Sequence, residues 1–220
     1  MRLSVVIPAL DGGATIAGTI AAVSDEADEV VVSDGGSTDA TCAIAAGLGA
    51  RSIVAARGRG EQIAAGVAAS TGDWLLLLHA DTRLDPGWRE EASWFMGARS
   101  DRAAYFRFAL DSADIRARRI EQLVAWRCRR FGLPYGDQGL LISRCLLARL
   151  GGVRPLPLME DVDLVRRIGR TRLVALDSRA VTSAARWERQ GWRRRSARNL
   201  LCLTLYFAGV PPRVLRRLYG

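Results

Sequence analysis

The sequence contains no lysine, so arginine supplies all 32 of its basic side chains. A P-loop nucleotide site requires a lysine, as does Schiff-base chemistry, and both classes are therefore excluded. Histidine occurs once, at His79, which excludes zinc sites that are built from two or three histidines. A Ser-His-Asp hydrolase would have to use this histidine, yet no Gly-x-Ser-x-Gly motif accompanies it.

Cysteine and long apolar runs are also scarce. The four cysteines are scattered and form no CxxC pair, so structural zinc is not expected, and reduced thiols in a cytoplasmic protein are the simplest interpretation. The apolar stretch 200–210 is too short to span a bilayer, and residues 3–9 lack the longer features of a cleavable leader. We therefore expect a cytoplasmic protein.

The net charge of +9 is concentrated near the C-terminus. Residues 186–220 contain nine arginines and one acid, whereas the rest of the chain has 23 arginines and 22 acids. We therefore expect a near-neutral body, residues 1–189, followed by a tail of basic amphipathic helices, residues 190–220. Three uses of this tail remain open: packing over a site on the body, peripheral contact with the anionic inner face of the membrane, and formation of a homodimer.

Strands and helices alternate four times in the first part of the chain, a pattern that predicts a parallel sheet wrapped by helices. Strands are expected at 3–7, 29–33, 51–55 and 73–78. The second half predicts strands at 104–110, 139–143, 172–176 and 180–184, and helices at 86–96, 112–130, 159–168, 190–208 and 212–219. The length of the whole chain, 220 residues, suits one α/β domain with a helical appendage.

Four consecutive leucines, residues 75–78, end abruptly at His79, Ala80 and Asp81. Such a run is typical of a strand buried on both faces, and ligands of open α/β sheets bind just beyond the carboxyl ends of these strands. Asp81 is therefore a candidate ligand for Mg²⁺ or Mn²⁺, a cation that a diphosphate-bearing substrate requires. His79 could join it, preferably on Mn²⁺, or could bind a phosphate or sugar, or could be satisfied by backbone as a partly buried histidine.

Five ordered motifs carry a resemblance to a known family. They are Val5-Val6-Ile7-Pro8-Ala9-Leu10, Val32-Ser33-Asp34-Gly35-Gly36-Ser37-Thr38-Asp39, His79-Ala80-Asp81, Gly136-Asp137-Gln138-Gly139 and Glu160-Asp161. On these motifs the chain resembles the family 2 glycosyltransferases over roughly residues 1–190. Within that family it looks most like a small bacterial group labelled arsenosugar-biosynthesis glycosyltransferases. The resemblance implies the GT-A fold, a Rossmann-like mixed α/β sheet flanked by helices.

The resemblance also implies a pocket for a nucleoside-diphosphate sugar, a UDP- or GDP-sugar. Its expected lining residues are Pro8, Ala9, Asp11, Asp34, Arg57, Arg59 and Ala80. Asp34 would contact the nucleobase and Asp11 the ribose, while the guanidinium groups of the two arginines suit a diphosphate. Alternatively, Asp34 is a loop acid near a helix capped by Ser37 or Thr38, and the arginines are solvated on a turn.

The Glu160-Asp161 pair would supply the catalytic base. In the family, the aspartate of this pair takes the proton of the acceptor hydroxyl, and Glu160 would orient it or touch the acceptor. The alternative is that both acids complement the dipole at the first turn of a helix. The resemblance further places Asp137, Gln138, Arg186 and Trp187 near the transferred sugar or the acceptor, with a plain turn as the alternative for the first two. Arg186 and Trp187 are expected to end the last strand.

Together these features predict a metal-dependent inverting glycosyltransferase with an unknown hydroxyl acceptor. One rival is a nucleotidyltransferase, but residues 8–15 contain no basic side chain to grip a triphosphate. The other is a non-enzymatic binder of membrane or nucleic acid through the arginine-rich tail. That rival leaves the acidic motifs of the body unexplained, and nucleic acid is not expected as a partner.

Overall fold

The computed structural model describes residues 1–219. Its strands are β1 (Leu3–Ala9), β2 (Glu29–Asp34), β3 (Arg51–Val54), β4 (Trp74–Leu77), β5 (Thr82–Leu84), β6 (Ala103–Asp111), β7 (Leu140–Ser143) and β8 (Leu173–Ser183). Its helices are α1 (Ile16–Ala21), α2 (Thr41–Gly47), α3 (Arg59–Ala69), α4 (Trp88–Ala98), α5 (Ile115–Phe131), α6 (Arg144–Arg149), α7 (Glu160–Ile168), α8 (Ala185–Gln190), α9 (Trp192–Phe207) and α10 (Pro212–Tyr219). Short 3-10 turns lie at Gly136–Gln138 and Arg170–Arg172.

All eight strands join one sheet in the order β3-β2-β1-β4-β7-β6-β8-β5. β1 pairs in parallel with β2 and β4, and β2 pairs in parallel with β3. β7 runs antiparallel to both β4 and β6, and β5 runs antiparallel to β8, whereas β6 and β8 are parallel. The prediction of a mixed α/β sheet flanked by helices is therefore confirmed.

The centre of the sheet is buried on both faces, as the leucine run predicts. Every residue of β1 and β4 is buried. One face packs against α1, α2 and α4, where Trp88 meets Phe106 edge to face with ring centroids 6.3 Å apart. The other face packs against α3, α6 and α7, which contribute Ile63, Leu146 and Leu164. This double cover fixes the carboxyl ends of β1 and β4 at the same edge.

Several expected elements differ from the observed ones. The strands expected at 172–176 and 180–184 are one strand, β8, because a register shift against β6 between Tyr105 and Arg107 lets it continue. The helix expected at 190–208 is found as α9 but begins at Trp192, because Gly191, with a φ of 83°, separates it from α8, a short helix that the sequence did not predict. Strand β5 and helix α6 are short, and no local pattern predicted them.

Two finer predictions are wrong as well. Neither Ser37 nor Thr38 caps the next helix, because α2 begins at Thr41 with Ala40 as its N-cap residue. Arg186 and Trp187 lie in helix α8 rather than at the end of a strand.

The tail packs against the body through aromatic side chains. Trp192 of α9 stacks on Trp187 of α8, with centroids 6.0 Å apart and planes 27° apart, in a cluster that includes Phe108 and Leu110 of β6. No helix in the described part of the chain combines the length and apolar character needed to cross a bilayer. The division at residue 189 falls within α8 and stays a prediction.

Gly60 sets the distance between α3 and the loop that leads into α7. A Cβ atom at this position would lie 2.6 Å from the backbone nitrogen of Leu156 and 2.7 Å from the carbonyl oxygens of Arg154 and Leu156. We expect Gly60→Ala to lower the free energy of unfolding by about 1–3 kcal/mol, because α3 and the backbone around Leu156 must move apart. The measurement is the urea midpoint.

Gly47 is the matched control for this substitution. It also lies in a helix, and a Cβ atom there would meet nothing within 4 Å. Gly47→Ala should therefore be neutral or stabilise by about 0.5–1 kcal/mol. Equal urea midpoints for the two variants would show that the contact around Gly60 is not tight.

Candidate active site

Seven of the residues predicted for the site line one pocket of about 110 Å³ beyond the carboxyl end of β4. They are Arg59, His79, Asp81, Asp137, Asp161, Arg186 and Trp187. An adjoining cavity of about 30 Å³ is lined by Pro8 and Glu160, and it shares His79 and Asp161 with the first. Side chains from β-strand ends, from the first turns of α3 and α7 and from the tail thus meet at one place.

Asp161 is held at the first turn of α7 by backbone groups. Its Oδ2 atom accepts a hydrogen bond of 2.8 Å from the Gly136 N–H, and its Oδ1 atom accepts one of 2.7 Å from the Val162 N–H. A Cβ atom on Gly136 would lie 2.5 Å from His79 Nε2 and 3.4 Å from Asp161 Oδ2. The absence of a side chain at Gly136 therefore lets the imidazole and the carboxylate approach the same loop.

Glu160 is almost completely buried and faces Arg59. Its Oε1 atom lies 3.4 Å from Arg59 Nη1, and its Oε2 atom has no partner among the described residues. Burial raises the pKa of Glu160 well above its usual value; Arg59 opposes this shift and Asp161 adds to it. Burial alone would lower the pKa of Arg59, but the charges of Glu160 and Asp161 raise it, so this guanidinium stays protonated.

The backbone of the His79-Ala80-Asp81 segment is fixed on two sides. Thr15 Oγ1 donates to the Ala80 carbonyl at 2.8 Å, and the Ser183 N–H donates to the Asp81 carbonyl at 2.9 Å. Burial, together with the charges of Arg59 and Arg186, holds the pKa of His79 well below its usual range. The imidazole is therefore neutral at physiological pH and can accept a hydrogen bond or ligate a cation.

Asp137 carries an unsatisfied buried oxygen. Its Oδ1 atom has no hydrogen-bond partner among the described residues. Burial raises the pKa of its carboxyl group to about 6; Arg127 opposes this shift, whereas Asp161 and Asp81 add to it. A buried carboxylate without a partner is costly, so the position suits a carboxyl group that gains a cation or a hydrogen-bond donor from a ligand.

The donor set in this pocket fits a hard divalent cation held partly by substrate. Within residues 1–219 no three acids, cysteines or histidines stand close enough to hold a metal ion by themselves. Asp81, Asp137 and Asp161 nevertheless line the same pocket. One or two carboxylates completed by phosphate oxygens and water are a usual arrangement for Mg²⁺ and Mn²⁺.

Asp34 braces the loop after β2, and Asp11 joins that loop to the one after β1. Asp34 is buried, and its oxygens accept hydrogen bonds from the N–H groups of Gly36 and Ser37 and from the Ser37 hydroxyl. Burial alone would raise the pKa of Asp34, but these hydrogen bonds lower it. Asp11 adopts a φ of 48°, and its Oδ1 atom accepts a 2.8 Å hydrogen bond from the Thr38 N–H. The loops after β1 and β2 thus form one bonded edge, while contact with a nucleotide stays a prediction.

Other predicted residues lie outside both cavities. Ala9 is buried at the end of β1, where its carbonyl accepts hydrogen bonds from Gln62 and Gly35, and Arg57 is exposed. Gln138 is turned inward: its Nε2 atom donates to the Phe106 carbonyl at 3.1 Å, and its Oε1 atom accepts from the Tyr135 N–H at 3.2 Å. The side chain of Gln138 therefore braces the loop from inside, and its contact with a sugar or acceptor stays a prediction.

The family model described as "Glycosyl transferase family 2" matches residues 4–139. The chain belongs to glycosyltransferase family 2. The matched range includes Asp34, Asp81 and Asp137, whereas Glu160 and Asp161 lie beyond it. None of the curated proteins matches this chain.

Several solved structures share the GT-A fold with this family member. Glucosyl-3-phosphoglycerate synthase from Mycobacterium tuberculosis, in complex with Mn²⁺ and UDP-glucose, is 22% identical with a TM-score of 0.59, covering 82% of this chain and 70% of that chain. The same values hold for its complex with Mg²⁺ and UDP. A mycobacterial protein is 22% identical with a TM-score of 0.56, covering 83% of this chain and 65% of that one.

The tail supplies pocket residues that the sequence did not indicate. Arg195 and Asn199 of α9 and Tyr219 of α10 line the pocket of this family 2 protein, as does Tyr135 from the loop before β7. Arg195 lies over the Trp187 ring at 5.2 Å from its centroid. No local motif marks these positions, because their proximity arises only when the tail folds back. The amphipathic pattern of α9 was their single signal.

The pKa of Asp137 leads to a prediction about stability. Its folded-state pKa of about 6 exceeds the ordinary 3.8, so its stabilising contribution is present below pH 3.8 and is lost as the pH rises through about 6. Asp137→Asn should therefore stabilise the metal-free protein by about 1–2 kcal/mol near pH ~8, an advantage that shrinks in acid. Thermal melts across this pH range measure it.

Asp177→Asn is the control, because the Asp177 side chain is 99% exposed. Its melting temperature should differ from that of the unmodified protein by a small amount that does not change with pH. If Asp137→Asn shows the same flat difference, the carboxyl group of Asp137 is not desolvated as described.

Proposed function

We propose that this protein transfers a sugar from a nucleoside-diphosphate sugar to a hydroxyl acceptor, with a divalent cation and with inversion at the anomeric carbon. The observation that carries the proposal is that Asp81 and Asp161, far apart in the sequence, line one pocket beside Arg59. Such a transfer requires neutralisation of the leaving diphosphate, removal of a proton from the acceptor, and alignment of both substrates.

Asp81 is proposed as the main ligand of Mg²⁺ or Mn²⁺, with Asp137 as a second carboxylate. A bound cation would offset the negative charge that develops on the departing diphosphate. The use of a divalent cation is supported by the solved Mn²⁺ and Mg²⁺ complexes of glucosyl-3-phosphoglycerate synthase, which contain UDP-glucose or UDP. Neutral His79 stands beside Asp161 at the same loop and would donate a hydrogen bond to a phosphate oxygen, or donate one to or accept one from a sugar hydroxyl.

Asp161 is proposed as the general base. Each carboxylate oxygen accepts one backbone hydrogen bond, and each keeps a second lone pair that can receive the acceptor proton. Direct attack by the deprotonated hydroxyl from the face opposite the diphosphate would invert the anomeric configuration. Buried Glu160 would position Arg59, whose guanidinium lies close enough to the pocket to meet a phosphate oxygen.

The edge built by Asp11 and Asp34 is proposed to hold the base and ribose of a UDP- or GDP-sugar. A thermal-shift screen of nucleoside diphosphates and their sugars with Mn²⁺ and Mg²⁺ would identify the donor, because ligand binding to the native state raises its melting temperature. Cytoplasmic location, peripheral contact with the membrane and homodimer formation through the tail are further proposals. The proposals of membrane contact and of a homodimer are supported by exposed apolar side chains on α9 and α10, such as Leu201 and Leu218, next to arginines.

Asp81→Ala is expected to abolish metal-dependent nucleotide binding and, with it, transfer. The reason is that the substitution removes the main carboxylate that holds the cation against the diphosphate. Calorimetric titration of the nucleoside diphosphate, with and without Mn²⁺, measures the effect. Asp85→Ala is the control, because Asp85 is nearby but pairs with Arg179 at 2.6 Å outside the pocket.

Two outcomes would contradict this proposal, one for the metal site and one for the reaction. Unchanged Mn²⁺-dependent nucleotide binding in Asp81→Ala would overturn the metal assignment. Release of pyrophosphate from a nucleoside triphosphate by the unmodified protein would instead indicate a nucleotidyltransferase.

Asp161→Asn should lower turnover by about 10²–10⁴-fold while leaving donor affinity nearly unchanged, because the amide keeps the hydrogen bond from Gly136 but is not a base. Release of the nucleoside diphosphate in the presence of hydroxyl acceptors, water included, measures turnover. NMR of the product gives its anomeric configuration. Normal turnover in the variant would refute the role of Asp161, and a retained configuration would refute inversion.

A further inference from the structure

A third, much larger cavity lies beside the catalytic pocket. This groove has a volume of about 860 Å³ and runs between α5 and α9. Its walls are mainly apolar and include Ile120, Leu123, Val124, Trp126, Leu200 and Leu203. Binding sites for small molecules typically have about 300–1,000 Å³ and combine apolar walls with few polar groups, and the groove matches that description.

The groove opens directly into the catalytic pocket. Tyr135, Asp137, Trp187 and Asn199 line both cavities. At this junction two buried oxygens, Asp137 Oδ1 and Asn199 Oδ1, have no hydrogen-bond partner among the described residues. The polar end of the groove therefore offers acceptors to a hydroxyl group, and its remaining length offers apolar contact.

The apolar walls of the groove are unusually exposed. Leu123 is 65% exposed, Trp126 54% and Leu200 64%, whereas the large apolar side chains of the central strands are buried. A contiguous exposed apolar surface of this kind marks a binding site. Arg166 and Arg170 stand at its rim, and the Arg166 guanidinium lies 5.0 Å from the centroid of the Phe207 ring.

The donor does not account for this groove. The loops proposed to hold the nucleotide follow β1 and β2, and neither Asp11 nor Asp34 lines the groove. A charged nucleoside diphosphate also gains nothing from apolar walls. The groove instead meets the pocket at Trp187 and at Asn199 of the tail, and Asp161 lines the pocket that it meets.

We propose that this groove binds the apolar part of the acceptor, so that the acceptor is a lipid-like alcohol. Its hydroxyl lies at the junction near Asp137 and Asp161, and its chain lies between α5 and α9. This inference rests on the proposed glycosyl transfer. In the transfer step the bond from the anomeric carbon to the diphosphate oxygen breaks, a bond to the alcohol oxygen forms, and the hydroxyl proton goes to the Asp161 carboxylate.

The test uses primary alcohols of about four to about ten carbons, below their aggregation limits. Their binding to the full chain with Mn²⁺ and nucleoside diphosphate is measured by calorimetry, and sugar transfer to each alcohol is measured in parallel. We expect affinity to rise about fourfold with each buried methylene, until the groove is filled. Transfer efficiency should rise in parallel.

A pair of variants separates the groove from the general surface. Leu200 lines the groove, whereas its neighbour Leu201 is similarly exposed, at 53%, and does not line it. Leu200→Glu should weaken binding of the longest alcohol by about tenfold or more and leave the shortest one unchanged, since only the long chain reaches this wall. Leu201→Glu should bind both alcohols as the unmodified protein does.

Three outcomes would overturn the inference. Normal donor binding and transfer without any dependence on chain length would refute the lipid-like acceptor and leave the proposed function standing. Chain-length-dependent binding of alcohols without binding of any nucleotide would refute glycosyl transfer, and with it the role of the groove as an acceptor site. Equal losses in Leu200→Glu and Leu201→Glu would indicate a general contact surface, for a membrane or a second copy, rather than an acceptor groove.

Discussion

The concentration of carboxyl groups around one arginine is the constraint on which this site depends. The charges of Glu160, Asp161 and Asp81 all raise the pKa of Arg59. Burial, with a contribution from Asp161 and Asp81, raises the pKa of Asp137 beside them. Like charges in a partly desolvated space destabilise one another, so such a cluster persists only where the surrounding structure fixes it. Backbone N–H groups on Asp161 and the ion pair of Glu160 supply part of that compensation. A cation brought in with a diphosphate would supply the rest.

The fold brings these charged groups together at positions where only a glycine backbone fits. Gly136 lets His79 and Asp161 approach one loop, and Gly60 lets α3 approach the segment that leads into α7. Met159 precedes α7 with a φ of 66°, a left-handed conformation that aims the first turn of the helix at the pocket. The loops themselves lie at the edge of the sheet where the carboxyl ends of β1 and β4 are found. The positions of the charged side chains in the pocket therefore depend on close backbone packing around the pocket.

Much of the fold and part of the site followed from local patterns. The leucine run predicted β4, and the abrupt change at His79 predicted a ligand position because the ends of buried parallel strands meet solvent at one edge. The Glu160-Asp161 pair was indicated by the family resemblance and stands at a helix start, as expected. β5, α6 and the junction within β8 were not predictable, since their pairing depends on partners far away in the sequence. Arg195, Asn199 and Tyr219 were missed for the same reason.

The sequence by itself determined the alternation of strands and helices, the absence of lysine chemistry and of zinc sites built from several histidines, and the identity of the acids, because periodicity and residue type are local properties. Only the tertiary structure decided which acids share a pocket, that the Gln138 side chain turns inward, and that α5 and α9 form an apolar groove beside Asp137. The physical reason is that burial, hydrogen-bond satisfaction and charge coupling depend on distances across the fold. No window of sequence contains those distances.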